Sequence, residues 1–590
     1  MEFKNNKLIL KNKKLAFSVT SDITLTFLLD RDICPTSAKC VLKNDNTELL
    51  TIIANDCYLD KEFICYDVSL QELSIGLYFF EFYVYTEVKT FQCNELILIY
   101  NNLNIVKAIN NGIVYHIFID RFSRGGCISK RTDAVYFDDW YNTEPEFGEY
   151  PGDYIPNNSF FGGTIYGIIE KLDYIKSLGT SCIYLSPVFE SYSNHKYDTG
   201  DYMKVDEGFG GDKALKKLID KAKEKDISII LDCAFNHTGD DSVYFNKYGK
   251  YSSLGAYQSQ ESPYYSWYNF REYPDVYDCW WGVKILPKTV RTETFKNFIC
   301  NNVLPKYFDM GITGIRLDVT DELEDELLGE INSTVKKYNG VIIGEVWEDA
   351  SNKIAYGNRK KYFLGNELDG VTNYPLREGI INFILTKNNT QLIDTINTLE
   401  LHYPDHCLYN SLNFLGSHDT NRIITILSGI SGEGIKGSEL TNLKLTLNER
   451  SQAKNLLKFA FLLLLTMKGT PCIYYGDEIG MEGYRDPFNR RPYPWGKEDN
   501  DILEWTKTLC KLRNTEKISG AISFIETRLE CIAYQINKNF ICVVNLSEND
   551  EIINLDGYYS DLITEKIYKD NYVIIKSNSC ILIERIIKNE

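Results

Sequence analysis

The sequence predicts an α/β protein built on a (β/α)8 TIM barrel, with an inserted B domain, a β-sandwich ahead of it and a small antiparallel β domain behind it. Two observations carry this. From about 106 to 517, short apolar runs alternate with stretches of helical periodicity, and eight of those runs precede a helix. The flanking segments, 1–105 and 518–590, instead show short alternating strands parted by Asn/Asp turns. The competing arrangement is a doubly wound open sheet, which wants a Gly-x-Gly-x-x-Gly after its first strand. None follows Ile119.

Residues 1–105 hold runs such as Ile23-Thr24-Leu25-Thr26-Phe27 and Phe79-Phe80-Glu81-Phe82-Tyr83-Val84-Tyr85. Their period of two places one face on a core and predicts a sandwich of roughly seven to eight antiparallel strands. Ile113 to Ile119 then reads as the first barrel strand, followed by Cys182 to Leu185, Ile227 to Leu231 and Gly314 to Leu317. Val341 to Glu345, Glu367 to Val371, Ser411 to Leu415 and Cys472 to Tyr475 supply the other four. Helical periodicity runs over Ile165 to Leu178, Asp212 to Lys225 and Thr292 to Phe308. The Tyr/Ser/Asp-rich stretch 238–286 interrupts the pattern and is the inserted domain. Residues 518–590 return to short strands, among them Phe540 to Asn545 and Tyr572 to Ile575.

A length of 590 residues, 44% hydrophobic and 25% charged, leaves room for two to four soluble domains. A net charge of −18 provides no basic surplus to neutralise phosphates, which argues against nucleic acid as a partner. The aromatic share is 13%, carried largely by 42 tyrosines. A flat apolar face with a polar tip suits a sugar, although a general compositional bias would give the same figure. The 16 cysteines include no Cys-x-x-Cys and no Cys/His cluster at zinc spacing, and read as small buried hydrophobes kept reduced. Met1-Glu2-Phe3-Lys4 leads into no secretory signal, and the longest apolar run, Phe459 to Met467, is too short to span a bilayer. A cytoplasmic protein with no membrane attachment is expected.

In a barrel of this kind, side chains just past the C-terminal strand ends converge on one face. The fourth strand ends Gly314-Ile315-Arg316-Leu317-Asp318-Val319. Arg316 and Asp318, two apart, share a face, and a cation one pleat away is expected to lower the Asp318 pKa and keep it ionised, as a nucleophile needs. Alone, such a pair is an ordinary strand-end salt bridge. The third strand ends Leu231-Asp232-Cys233-Ala234-Phe235-Asn236-His237, the fifth Gly344-Glu345-Val346-Trp347 and the seventh Gly416-Ser417-His418-Asp419-Thr420. Asn194-His195-Lys196-Tyr197-Asp198 follows the second. Each alone is more often a helix cap or a structural histidine; together at one rim they are a site.

Asp318 and Glu345 end neighbouring strands, so their carboxyls are expected about 5–5.5 Å apart, the spacing of a retaining glycosidase. Asp318 would attack the anomeric carbon. Glu345, beside apolar Val346 and Trp347, would protonate the leaving oxygen and later activate water. Asp419 would bind sugar hydroxyls more tightly as the ring becomes oxocarbenium-like. Neutral His237 and His418 would donate hydrogen bonds around the cleaved bond, and Tyr197 would stack on a sugar ring, with His195, Arg316 and Trp347 completing the binding surface.

These segments resemble the motifs of glycoside hydrolase family 13, the α-amylase family, over nearly all of residues 111 to 495. Asp232 to His237 is similar to its first conserved region, Gly314 to Glu322 to its second, Gly344 to Trp347 to its third and Phe414 to Asp419 to its fourth. The resemblance puts the nucleophile, acid/base and transition-state carboxylate on Asp318, Glu345 and Asp419. Val114 to Phe122, Leu286-Pro287-Lys288, Tyr475-Gly476-Asp477-Glu478 and Asp486 to Pro492 resemble the neopullulanase, cyclomaltodextrinase and maltogenic amylase branch. That branch implies a grip by Asp486 and Arg490 on the sugar at subsite −2, and a homodimer through the N-terminal domain. The chain departs from it at Asp321, where asparagine is usual, and at Glu348, where histidine is common. The calcium loop usual after Asp-Arg-Phe is not recognisable in Ser123-Arg124-Gly125-Gly126-Cys127, where an arginine opposes a divalent cation. No cofactor is expected to be required, and bound calcium stays open as an alternative that Arg124 disfavours.

The expected activity is therefore retaining hydrolysis of α-1,4 and, as a second target, α-1,6 bonds in maltooligosaccharides, cyclodextrins or pullulan, as in starch degradation. Two alternatives stay open: a transglycosylase using the same site, and a sugar-binding relative without catalysis.

Overall fold

The structure is a computed structural model that describes residues 8–45, 47–54, 56–101, 109, 112–126, 130–516 and 518–586. The N-terminal Met1-Glu2-Phe3-Lys4 and Cys127 of the loop after the first barrel strand lie outside the described residues. The chain divides into two compact units, one of Met1–Asn104, Asp349–Asp369 and Ile396–Leu408, the other of Ile105–Glu348, Gly370–Thr395 and Tyr409–Glu590.

The first unit carries two sheets. Leu8–Leu10, Ile23–Asp30, Phe63–Leu70 and Tyr58–Asp60 lie side by side in one. Ala16–Ser18, Thr90–Tyr100, Gly76–Tyr85, Ser37–Asn44 and Thr47–Ile53 form the other. Among the described residues nine strands thus stand where seven to eight were expected, and Ala16–Ser18 pairs in parallel with Thr90–Tyr100. The period of two is visible in the burial of Ile23–Asp30, whose Ile23, Leu25, Phe27 and Leu29 turn inward. Phe27 stacks on Phe82 at 3.9 Å and meets Phe80 edge-on at 5.5 Å, which joins side chains of both sheets in one core.

The second unit is an eight-stranded parallel barrel. Its strands are Ile113–Ile117, Thr180–Leu185, Ser228–Cys233, Gly314–Leu317, Val341–Gly344, Gly370–Val371, Leu412–Phe414 and Thr470–Tyr474, each hydrogen-bonded to the next in sequence, with the last returning to the first. The two-residue sixth strand continues into a parallel bridge from Thr372 to Leu412, which closes the ring. Val114, Cys182, Tyr184, Ile230, Val341, Ile343, Leu412, Phe414 and Cys472 fill the interior, so the barrel is a packed core rather than a pore. Gly314 at the start of the fourth strand has a packing reason: a Cβ there would lie 2.6 Å from the Val341 carbonyl oxygen. That close approach fixes the fourth strand against the fifth, and so aligns Asp318 with Glu345.

Two elements differ from the pattern read in sequence. Chain past Ile117 turns into a one-turn helix, Ile119–Phe122, instead of extending the first strand to Ile119. The helix over Thr292 to Phe308 is interrupted by a π segment, Ile299–Val303, between Glu293–Phe298 and Leu304–Met310. The stretch 238–286 holds one short hairpin, Phe270–Glu272 with Val276–Tyr277, and the single 3-10 turns Tyr265–Trp267 and Trp280–Gly282. Beyond the barrel, Ile522–Ile525, Cys531–Ile536, Phe540–Asn545, Ser579–Arg585, Tyr559–Asp561 and Ile567–Tyr568 form an antiparallel sheet, beside the pair Glu551–Asn554 and Tyr572–Ile575. Among the described residues no helix is long and apolar enough to cross a membrane.

Candidate active site

Arg316 is the hub. Its side chain is 2% exposed, and its guanidinium reaches three carboxyls: Nη1 lies 2.7 Å from Asp232 Oδ1 and 2.8 Å from Asp318 Oδ1, while Nη2 lies 2.9 Å from Glu345 Oε1. The register makes this arrangement, because Asp232 pairs with Arg316 across the third and fourth strands. Tyr184 and Tyr197 donate their hydroxyls to Asp232 Oδ2 at 2.5 and 2.8 Å. Asp232 is therefore saturated and completely buried, whereas Asp318 presents its carboxyl at the strand end.

The residue after Asp318 is strained. Val319 adopts φ 46° and ψ 50°, a left-handed conformation that a β-branched residue rarely takes. The turn aims its N–H at Glu345 Oε2, 2.8 Å away. Glu345 is thus tethered through both oxygens, by Arg316 and by a backbone amide, and Thr320 Oγ1 accepts from the Glu345 N–H at 3.0 Å.

The expected lowering of the Asp318 pKa is overturned. Burial pushes its carboxyl well above the ordinary range; Arg316 pulls it down, and Glu345, Asp232 and Asp419 push it further up. The physical reason is first the burial of the carboxyl, and then that one guanidinium is divided among three carboxyls. Asp232 is raised for the same first reason, burial, against the pull of Arg316. Asp419 has a side chain 30% exposed but sits in a concavity, where desolvation outweighs Arg490 and Arg316 and raises it too.

The remaining predicted residues form separate sets of contacts. In one, Tyr197 OH is 2.6 Å from His418 Nε2, His418 Nε2 is 3.1 Å from Asp419 Oδ2, and the Tyr197 and His418 rings lie parallel at 5.2 Å. His195 stacks beside Tyr197 at 5.9 Å and accepts the Tyr197 N–H at Nδ1. Arg490 lies 3.0 Å from Asp486 and 3.6 Å from Asp419, and its Nε donates to the His418 carbonyl at 2.9 Å. After the third strand, the buried His237 ring stacks on Trp280 at 5.4 Å. Trp347, half exposed, stacks on Tyr374 at 3.9 Å.

Against this geometry, the family described as Alpha amylase, catalytic domain, matches residues 116–519. The chain belongs to the α-amylase family. An amylopullulanase from Thermoanaerobacter thermohydrosulfuricus is 37% identical over 489 residues, covering 73% of this chain, and the chain spans only 32% of that relative's length. A maltogenic α-amylase from Bacillus acidopullulyticus is 31% identical over 81% of this chain and 77% of its own. The type III pullulan hydrolase from Thermococcus kodakarensis shares the fold, with a TM-score of 0.69 at 24% identity over 97% of this chain and 98% of its own.

Several residues of this α-amylase-family site were not singled out from the sequence. Asp232 and Tyr184 form its floor, with His116, which stacks on Tyr184 at 4.1 Å and lies 3.0 Å from Ser186 Oγ. Alternation along the second strand, which turns Cys182 and Tyr184 inward together, was the signal that could have found Tyr184. The residues after Asp120-Arg121-Phe122 do not fit a divalent cation. Arg124 fills that place itself, donating to the carbonyls of Phe137, Asp138 and Phe161. Among the described residues no group of three or more His, Cys, Asp or Glu side chains could hold a metal.

Burial keeps the rim histidines neutral. It depresses His237 to about 4 and His195 to about 3, and holds His116 and His418 well below the usual imidazole range. A depressed folded-state pKa gives stability that is complete above the unfolded value of about 6.5 and lost as pH falls toward the folded value. His237→Gln removes one such group, so the parent-minus-variant stability should fall by roughly 2–3 kcal/mol between pH 7.5 and pH 4.5. Denaturant unfolding at the two pH values checks this; a difference that does not move with pH contradicts it.

Proposed function

We propose that this chain is a retaining α-glucan hydrolase acting on α-1,4 bonds, and on α-1,6 bonds as a second target, in maltooligosaccharides, cyclodextrins or pullulan. The observation that carries it is the pair Asp318 and Glu345, ending adjacent strands on the two terminal nitrogens of one buried guanidinium. Asp318 attacks the anomeric carbon as the bond to the leaving oxygen breaks, and Glu345 gives that oxygen its proton. Water then attacks the same carbon, returning its proton to Glu345 and releasing Asp318, so two inversions give net retention. Four carboxyls, Asp232, Asp318, Glu345 and Asp419, share two guanidiniums, Arg316 and Arg490, which leaves the cleft able to keep the proton this step needs. Neutral His418 and His237 donate to hydroxyls without adding charge. Arg490 and Asp486, at the mouth beside Asp419, grip the next sugar.

Glu345→Gln separates the roles. A sugar leaving group needs the proton and a fluoride does not, so kcat/KM for maltoheptaose should fall on the order of 10³-fold and that for α-maltosyl fluoride far less. Equal losses would contradict the proton-donor assignment, and reducing-sugar release from maltoheptaose, β-cyclodextrin and pullulan would rank the substrates.

The cytoplasm is the compartment that suits the cysteines, since all fifteen of those described are free thiols. A homodimer through the N-terminal unit is supported by apolar side chains on two sheet-edge strands, with Leu49 50%, Ile53 65% and Leu59 60% exposed. No metal is required, Arg124 standing where one would be held.

A further inference from the structure

The loop between the third and fourth strands carries one aromatic residue whose conformation its own packing does not explain. Trp281 lies at φ 49° and ψ 29°, left-handed backbone that a bulky L-residue rarely takes, and its side chain is nonetheless 79% exposed. Burial of the ring is not what holds it there. A hydrogen bond does: the indole N–H donates to Glu322 Oε1 at 2.9 Å. The other oxygen of that carboxylate, which is 3% exposed, accepts from Lys288 Nζ at 2.8 Å. Glu322 stands four residues past Asp318, so the ring is fixed to the same turn that presents the nucleophile. Trp280 lies against it at 5.8 Å and carries the contact on to His237 at 5.4 Å. His237 has both ring nitrogens buried without a hydrogen-bond partner, and so does the indole nitrogen of Trp280.

From this we infer that Trp281 is a platform for a glucosyl unit on the leaving-group side of the cleaved bond, positioned by Glu322. The inference rests on the hydrolase reading above and names a binding surface within it. Asp419, Arg490, Asp486 and His195 come from elements beyond the second, seventh and eighth strands. Trp281, Trp280, Glu322 and Lys288 come from the third and fourth, the adjoining arc of the ring, which carries none of those four residues. A sugar ring is apolar on its faces and polar at its edge, so a flat exposed indole takes the face. The buried polar atoms alongside, on His237 and Trp280, are what hydroxyls at the edge would satisfy. A tethered ring also loses less freedom on binding than a free one.

The test compares a substrate that reaches across the cleaved bond with one that does not. Maltoheptaose places glucosyl units on the leaving side, whereas α-maltosyl fluoride places only a fluoride there. In Trp281→Ala the ratio of kcat/KM for maltoheptaose to that for the fluoride should fall about tenfold, which corresponds to about 1.4 kcal/mol. Trp281→Phe, which keeps a flat face, should recover most of it. Glu322→Ala should lower the ratio as well, and Glu322→Gln, which still offers the indole N–H an oxygen, should restore it. A ratio unchanged in Trp281→Ala while the parent turns over both substrates overturns this assignment and leaves the hydrolase reading standing. A parent that turns over neither overturns both.

Discussion

Asp318→Asn lowers kcat on maltoheptaose by more than about 10⁴-fold, the scale expected when the attacking group of a two-step displacement is removed. The amide has nearly the same shape but no charge with which to form the bond to the anomeric carbon. Binding survives, because Arg316 keeps its contacts with Asp232 and Glu345, and the residues around Asp419 and Arg490 are untouched. Calorimetry with maltoheptaose should give a Kd within about tenfold of the slowly turning-over Glu345→Gln protein, since each tenfold is only about 1.4 kcal/mol. A variant that retains more than about one-hundredth of the parent rate would remove Asp318 from the role of nucleophile.

Arg316→Leu carries the largest expected cost in stability. The substitution leaves the carboxyls of Asp232, Asp318 and Glu345, whose side chains are 0%, 11% and 7% exposed, facing one another with no cation between them. Breaking a buried pair from one side typically costs about 3–5 kcal/mol, and here one cation serves three partners. The sign of its pH dependence is fixed. Without Arg316 the folded-state pKa values of Asp232 and Asp318, already raised, lie further above the unfolded value of about 3.9. The folded variant therefore takes up protons that the unfolded chain does not, and its deficit shrinks as pH falls from 7.5 to 5. Guanidinium unfolding at both pH values measures this. An equal deficit at the two would mean that the loss is one of packing alone.

The residues of the rim were not equally legible in the chain. A period of two put Arg316 and Asp318 on one face, and strand-by-strand reading placed Glu345 and Asp419 on the same rim. That Arg316 also binds Asp232 was hidden, because it depends on the register of the third strand against the fourth, which one sequence does not encode in any local pattern. The direction of the Asp318 shift was misread because the cation was visible, whereas the burial that outweighs it and the other two claimants were not. The π segment at Ile299–Val303 carries no glycine or proline of its own, so helical periodicity ran straight through it. Trp280 and Trp281 sit in an irregular loop where neither period applies, and the bond from the Trp281 indole to Glu322 and the stack of Trp280 on His237 bring them to the site.

The most direct test of a covalent glycosyl-enzyme on Asp318 uses the Glu345→Gln protein with α-maltosyl fluoride. Fluoride departs without an acid, while the second displacement lacks its base, so the intermediate accumulates. Mass spectrometry of the intact protein followed by peptide mapping should find one maltosyl group, attached at Asp318. A label on any other side chain, or release of the β-anomer with no label, would contradict the account.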